Sequence, residues 1–280
     1  MPFTTPGSFM STTPITSLKN QRIKNAVKLR DRRGRDKQRR IIIDGAREIH
    51  RAQQAGIACE ELFWCDTICT EQVRQAVVDQ CETGEALPVT AEVFGKLAFG
   101  DRSDGVVAVA AQPERKLSSF DVPTDGLIVV LEGIEKPGNV GAVLRSADAS
   151  GVAGVIIADG GTDLFNPNCI RASLGMVFTM PIAVAESDAS ITWLKQRGTK
   201  ILAARVDGAM SHTDANYCGT TAIVLGSEAT GLSALWSDEA VTAIELPMLG
   251  VADSLNVSAT AAVLCYEALR QREATSPTDR

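Results

Sequence analysis

Leu246-Pro247-Met248-Leu249-Gly250-Val251-Ala252-Asp253-Ser254-Leu255-Asn256-Val257-Ser258 crowds Pro, Gly, Asp, Ser and Asn together, then runs straight into the apolar-periodic stretch Ala259 to Leu269. A turn-rich loop feeding a helix N-terminus turns backbone N–H groups outward, where polar ligands can be held. Two upstream segments share this character: Glu135-Lys136-Pro137-Gly138-Asn139-Val140-Gly141-Ala142-Val143-Leu144-Arg145-Ser146 and Leu225-Gly226-Ser227-Glu228-Ala229-Thr230-Gly231-Leu232. Each follows an apolar run. Three polar, Gly-bearing loops in such positions predict one composite site.

The surrounding pattern gives that site a scaffold. From Gly126 onward, strand, loop and helix signals repeat. Strands are expected at Leu127–Leu131, Gly154–Ala158, Pro181–Ala185, Ile201–Ala204, Thr221–Leu225 and Val241–Glu245. Helices are expected at Val140–Ala149, Asn168–Leu174 and Ala189–Gln196. Short apolar runs alternating with helices mean an α/β fold whose parallel sheet is covered on both faces. Ligands of such sheets lie at the carboxyl ends of the strands, where all three loops begin. Residues 17–111 carry a second, smaller α/β pattern. A helix capped by Ser17 reaches Leu29, and Ile41–Ile43, Leu62–Cys65 and Gly105–Ala110 read as strands. Ala46–Ala55 and Glu71–Cys81 read as helices. Residues 112–125, with Pro113 and Pro123, read as a linker, and residues 1–16 and 275–280 as tails.

The charge of −6 conceals an asymmetry. Between Lys19 and Arg51 there are 13 Lys or Arg against 4 Asp or Glu; the remainder holds 15 basic and 30 acidic residues. A basic stretch on an acidic body implies a polyanionic partner met at one end. Arg30, Arg32, Arg33, Arg35, Lys37, Arg39 and Arg40 are the candidate phosphate contacts, with a solvated helix face as the alternative. The seven cysteines are scattered and odd in number, with no C-x-x-C. This speaks against a disulfide framework and against a metal site, although Cys65, Cys69 and His50 lie near one another in sequence. Buried small side chains in a reducing, cytoplasmic setting are expected. No window reaches the apolar length of a membrane span.

The three loops, in this order, resemble the three motifs of the SpoU (TrmH-like) RNA ribose 2′-O-methyltransferases of the SPOUT superfamily. The resemblance runs from about Leu127 to Arg272. It implies a SPOUT-type catalytic domain over 126–274 with a trefoil knot, where general topology rules alone favour an open sheet. It further implies a homodimer with the site near its interface, and S-adenosyl-L-methionine as cofactor. The order of elements over 17–111 resembles the ribosomal-protein-like RNA-binding domain that precedes many such enzymes.

The resemblance also assigns roles, each beside a plainer alternative. Arg145 is the implied catalytic arginine. Because a guanidinium rarely gives up a proton, it is better suited to stabilise a developing alkoxide than to act as a base; an ion pair with Asp148 or Glu132 is the plain reading. Asn139 is implied in the active site, or it caps the helix after it. Glu228 faces the centre, orienting Arg145 or a substrate hydroxyl, or it complements a helix starting near Leu232. Ser254 and Asn256 belong to the site or cap the final helix. For the cofactor the resemblance implies Gly226, Leu246 and Leu255, with Leu225, Met248 and Ser258 adjacent and Ala203-Ala204-Arg205 completing the pocket. Asn166-Pro167-Asn168 and Arg171 are expected at RNA, or in a capped turn. The reaction implied is methyl transfer to a ribose 2′-hydroxyl of structured RNA, ribosomal rather than transfer RNA. Methylation of a base nitrogen and RNA binding without turnover are the rivals, and antibiotic resistance is open beside a housekeeping role. A Rossmann dehydrogenase is excluded, since no G-x-G-x-x-G follows a first strand.

Overall fold

The structure, a computed structural model, describes residues 13–78, 81, 84–100 and 104–275. Residues 1–12 and 276–280 of the expected tails fall outside the described residues, while Ile15 bridges to Val89. The chain divides into two units, one comprising residues 1–113 and 165–179, the other residues 114–164 and 180–280.

In the second unit most strands are short apolar runs. Leu127–Glu132 (β5) and Gly154–Ala158 (β6) are followed by Ile182–Ala185 (β7) and Lys200–Ala204 (β8). Met210–Ser211 (β9), Thr221–Leu225 (β10) and Val241–Glu245 (β11) complete the set. β5, β6 and β10 are buried at every residue, as strands covered on both faces must be. The sheet is parallel throughout, in the order β7-β6-β5-β10-β8-β11-β9. One face packs Ile128, Val130, Ile156, Ile201, Ala222 and Val224 against Trp236 and against Ile191 and Leu194 of the helix Ser187–Gln196 (α9). Each fully buried branched aliphatic there contributes about 1.5–3 kcal/mol. Pro137–Ala149 (α6) packs against Val257–Thr275 (α10).

The linker expectation needs correction. Phe120 and Val122 are buried in the core of this unit, and Lys116 bridges to Val184 of β7. Apolar side chains at 120 and 122 are better buried than exposed, so the segment joins the sheet's cover and the division falls at Pro113.

The first unit pairs Arg40–Asp44 (β1), Cys59–Trp64 (β2), Glu85–Pro88 (β3) and Val106–Ala111 (β4) in the order β1-β4-β2-β3, with only the β2–β3 pair parallel. Around it lie Gln21–Lys28 (α1), Arg32–Gln38 (α2), Ala46–Gln54 (α3), Glu71–Val73 (α4, continued as a π-turn to Val78) and Ala91–Leu97 (α5). Asn20, not Ser17, caps α1: its side chain accepts from the Arg22 N–H. Pro167–Ala172 (α7) and Met176–Thr179 (α8) join this unit although they follow β6 in sequence. α7 packs on β1 and α8 on α3, and Arg51 donates to the carbonyl of Leu174. The basic run folds by a close approach at Gly34, where a Cβ would stand 1.8 Å from the carbonyl oxygen of Lys28. Arg39 ends α2 in the left-handed region at φ 53°.

Candidate active site

β5 and β10 lie side by side, so the loops leaving their carboxyl ends emerge together. The first enters α6 at once, with Pro137 at the first helical position, where its missing N–H costs nothing. Asn139 is thus inside the first turn, and Lys136 occupies the N-cap position. The capping alternative for Asn139 is not realised.

The second loop closes on itself. Ser227 and Gly231 exchange backbone hydrogen bonds, and Gly226 lies so close to Gly231 that a Cβ would come within 2.3 Å of its carbonyl carbon. Glu228 projects from this turn. Its Oε1 accepts from Asn139 Nδ2 at 2.9 Å and Asn256 Nδ2 at 2.6 Å; its Oε2 accepts from Lys136 Nζ at 2.5 Å. One carboxylate therefore joins all three motif loops. The Lys136 ammonium above all, and then the Asn139 amide, hold its pKa below the ordinary carboxylate value, aided by the backbone N–H of Val257. No helix begins at Leu232; a 3-10 turn at Ala234–Ser237 follows instead, so the dipole reading of Glu228 there falls away.

Asn256 satisfies both of its readings. Its Oδ1 accepts from the backbone N–H of Ser258 at 2.9 Å and from Ser258 Oγ at 2.6 Å, capping α10, while its amide serves Glu228. Ser258 takes part here and is not among the residues lining the cavity.

That cavity, about 900 Å³, opens beside the cluster. Leu225, Gly226, Leu246, Met248 and Leu255 line it, with Ala204, Arg205, Glu228 and Ser254. Its volume and mixed lining suit a nucleoside-sized ligand. Arg205 is held by Asp207 at 2.8 Å and by Ser237 at 2.6 Å. Arg145 is exposed on α6, and its side chain makes no hydrogen bond or ion pair among the described residues. It pairs with neither Asp148 nor Glu132 and does not reach Glu228. Six residues along a helix carry it about 120° round from Asn139.

Beneath the loops lies a group the sequence did not announce. The Glu132 carboxylate, at the end of β5, is 5% exposed. Its Oε1 accepts from Ser187 Oγ, Ser233 Oγ and Trp236 Nε1 at 2.7, 2.8 and 2.7 Å, and its Oε2 accepts from the Ser233 N–H at 2.7 Å. It staples the segment after the second loop to the sheet. An acidic residue ending a buried strand was the available signal.

The basic candidates separate by environment. Arg30 pairs with Asp44 and the Leu97 carbonyl, Arg35 is buried and donates to the Leu29 and Arg30 carbonyls, and Arg40 pairs with Glu60 and Glu61. These three hold the fold. Arg32, Arg33, Lys37 and Arg39 are exposed. Arg171 is exposed, its guanidinium against Gly100, and Asn166 caps α7 by accepting from the Asn168 N–H at 2.9 Å. The seven cysteines are free; burial raises the Cys59 thiol, and likewise that of Cys265, to about 12. No helix among the described residues is long and apolar enough to cross a membrane.

Residues 126–266 match the model of the SpoU rRNA Methylase family, and residues 20–108 match the MRM3-like substrate binding domain. A 23S rRNA (uridine(2479)-2′-O)-methyltransferase of Streptomyces viridochromogenes is 32% identical over 240 residues, 84% of this chain and 76% of that protein. Among solved structures, an RNA 2′-O ribose methyltransferase is 43% identical, with a TM-score of 0.81 over 92% of this chain and 99% of that one. An AdoMet-bound rRNA methyltransferase from Sinorhizobium meliloti is 28% identical, with a TM-score of 0.82 over 92% and 97% of the two chains. The motif loops that meet at Glu228 all fall within the matched span, and the chain belongs to the SpoU rRNA methylase family.

Proposed function

We propose that this protein methylates a ribose 2′-hydroxyl of ribosomal RNA with S-adenosyl-L-methionine. The observation that carries the reading is the convergence of Asn139, Glu228 and Asn256 at the cavity in a SpoU chain. The residues present fit the cofactor: Leu225, Leu246, Met248 and Leu255 offer apolar surface for an adenine, and Gly226 admits close approach of the backbone. When bound, the cofactor supplies an electrophilic methyl group on a sulfonium. The protein's part is to orient the hydroxyl and favour loss of its proton. Asn139 and Asn256, anchored on Glu228, position the ribose, and Ser254 stands at the same mouth. Arg145, whose side chain has no partner among the described residues, stabilises the developing alkoxide or the adjacent phosphate.

The remaining roles belong to the same reading. Arg32, Arg33, Lys37 and Arg39 contact RNA phosphates, and Arg171 adds to them. A trefoil knot is formed by the segment from β11 through Leu246–Asn256 into α10. A second copy covers Leu249 and Val251, both almost fully exposed, and Val263 and Tyr266 of α10, giving a homodimer. The protein works in the cytoplasm, in keeping with its free thiols.

The test incubates the protein with methyl-tritiated S-adenosylmethionine and unmodified ribosomal or transfer RNA, with Arg145→Ala as control. A 2′-O-methyl group blocks alkaline cleavage of the next phosphodiester. Labelled dinucleotides from ribosomal RNA, absent with Arg145→Ala, are expected. Label confined to mononucleotides means base methylation and refutes the proposal.

A further inference from the structure

Glu228 was expected to orient Arg145 or a substrate hydroxyl, or to complement a helix; the structure pairs it with Lys136. The three side-chain donors around this carboxylate come from two elements, Lys136 and Asn139 from the start of α6 and Asn256 from the entrance to α10. A carboxylate only accepts hydrogen bonds, so both asparagines must turn their amide nitrogens towards it. This fixes their oxygens as well. Asn256 Oδ1 is committed to Ser258, and Asn139 Oδ1 lies 3.4 Å from Asn256 Nδ2. The arrangement of both amides thus depends on where the carboxylate points, and Lys136 alone supplies a cation to its other oxygen among the described residues. The ammonium side chain is 71% exposed. Ion pairs so exposed add little to stability, so holding the fold does not account for this one.

We propose that Lys136 is a positioning residue for methyl transfer, its ammonium pinning Glu228 so that Asn139 and Asn256 are held in one arrangement at the mouth of the cavity. The inference rests on the methyltransferase reading above. It adds a residue that the motif strings did not single out, and it assigns Lys136 an effect on turnover rather than on cofactor binding.

The test compares the full chain with Lys136→Met and Lys136→Arg. Side-chain amide resonances of Asn139 and Asn256 are followed in asparagine-labelled protein, and kcat and the KM for S-adenosylmethionine are measured on ribosomal RNA. Expected in Lys136→Met are displaced amide resonances, a kcat lower by about tenfold or more, a cofactor KM changed less than about twofold and an unchanged melting temperature. Lys136→Arg restores the resonances and most of kcat. Unmoved resonances, a wild-type kcat in Lys136→Met, a loss carried by the cofactor KM, or a loss that follows the melting temperature each overturns the inference. An unaltered chain that transfers no methyl group refutes the methyltransferase reading itself, a different outcome from an active wild type with an equally active Lys136→Met.

Discussion

Replacing Glu132 by Gln removes one oxygen from a buried carboxylate that accepts four hydrogen bonds at 2.7–2.8 Å. Glutamine fits the space but presents one acceptor and one donor. With its oxygen where Oε1 receives Ser187, Ser233 Oγ and Trp236, its amide nitrogen meets the Ser233 N–H donor to donor. A hydrogen bond to a charged acceptor contributes about 1.5–3 kcal/mol, and a buried donor left unmet costs about 1–3 kcal/mol, two figures that overlap. The other three bonds weaken as their acceptor becomes neutral. Against this, an amide is cheaper to bury than a carboxylate. The net loss is roughly 2–4 kcal/mol, and in a unit of roughly 150 residues it lowers the melting temperature by roughly 4–16 °C. Thermal unfolding followed by circular dichroism measures it, with Ser187→Ala, which deletes one donor, expected at a smaller loss. A Glu132→Gln melting temperature within about 1 °C of the unaltered chain refutes the view that this carboxylate anchors the segment after the second loop.

Other perturbations test the remaining assignments. Gly226→Ala places a Cβ against the Gly231 backbone, so the second loop must open; calorimetry should show S-adenosylmethionine affinity weakened about tenfold or more, roughly 1.4 kcal/mol. Substituting Gln singly for Arg32, Arg33, Lys37 or Arg39 should lower the slope of log affinity for RNA against log salt by about 0.7–0.9 for each phosphate no longer neutralised, read from filter binding. The same change at Arg30 or Arg35 should instead lower the melting temperature, because those guanidinium groups serve Asp44 and the Leu97, Leu29 and Arg30 carbonyls. Glu267 is held down to about 2, by hydrogen bonds from Arg270 first and from Gln271, with a smaller electrostatic pull from Arg270 and His212. A carboxyl depressed in the folded state adds stability above its unfolded pKa and loses it as pH falls through the folded one. Urea unfolding between about pH 5 and pH 2 should therefore fall less steeply in Glu267→Gln.

Much of the scaffold and part of the site could be read from residues alone. The strands of the second unit other than the two-residue β9 were legible because most are continuous apolar runs, the pattern of strands covered on both faces. That the three loops form one site followed from where they begin; the place of Asn139, Glu228 and Asn256 in it was implied by the family resemblance. Lys136 was not legible: one lysine in a polar loop carries no periodic signal, and its partner is 92 residues away. Arg145 reads as part of the same centre, yet helix geometry turns it away from Asn139. α2 was hidden by its charge, since apolar spacing is the usual mark of a helix and its buried member is Arg35. Phe120 and Val122 sat between prolines and charges, and a two-residue apolar signal is too short to distinguish a linker from a cover for the sheet.

The membership of α7 and α8 in the first unit bears on the order of synthesis. A ribosome that has released residue 113 has made the whole four-stranded sheet but not the helices that lie on β1 and α3. Those arrive only with residues 165–179, after β5 and β6 of the other unit have been made. β5 in turn waits for β10, whose register with it joins residues 127–131 to residues 221–225. Both units therefore stand unfinished together during translation, with apolar strands awaiting late partners, a state prone to capture by chaperones or by other nascent chains. A fragment ending at Pro113 should share that fate permanently.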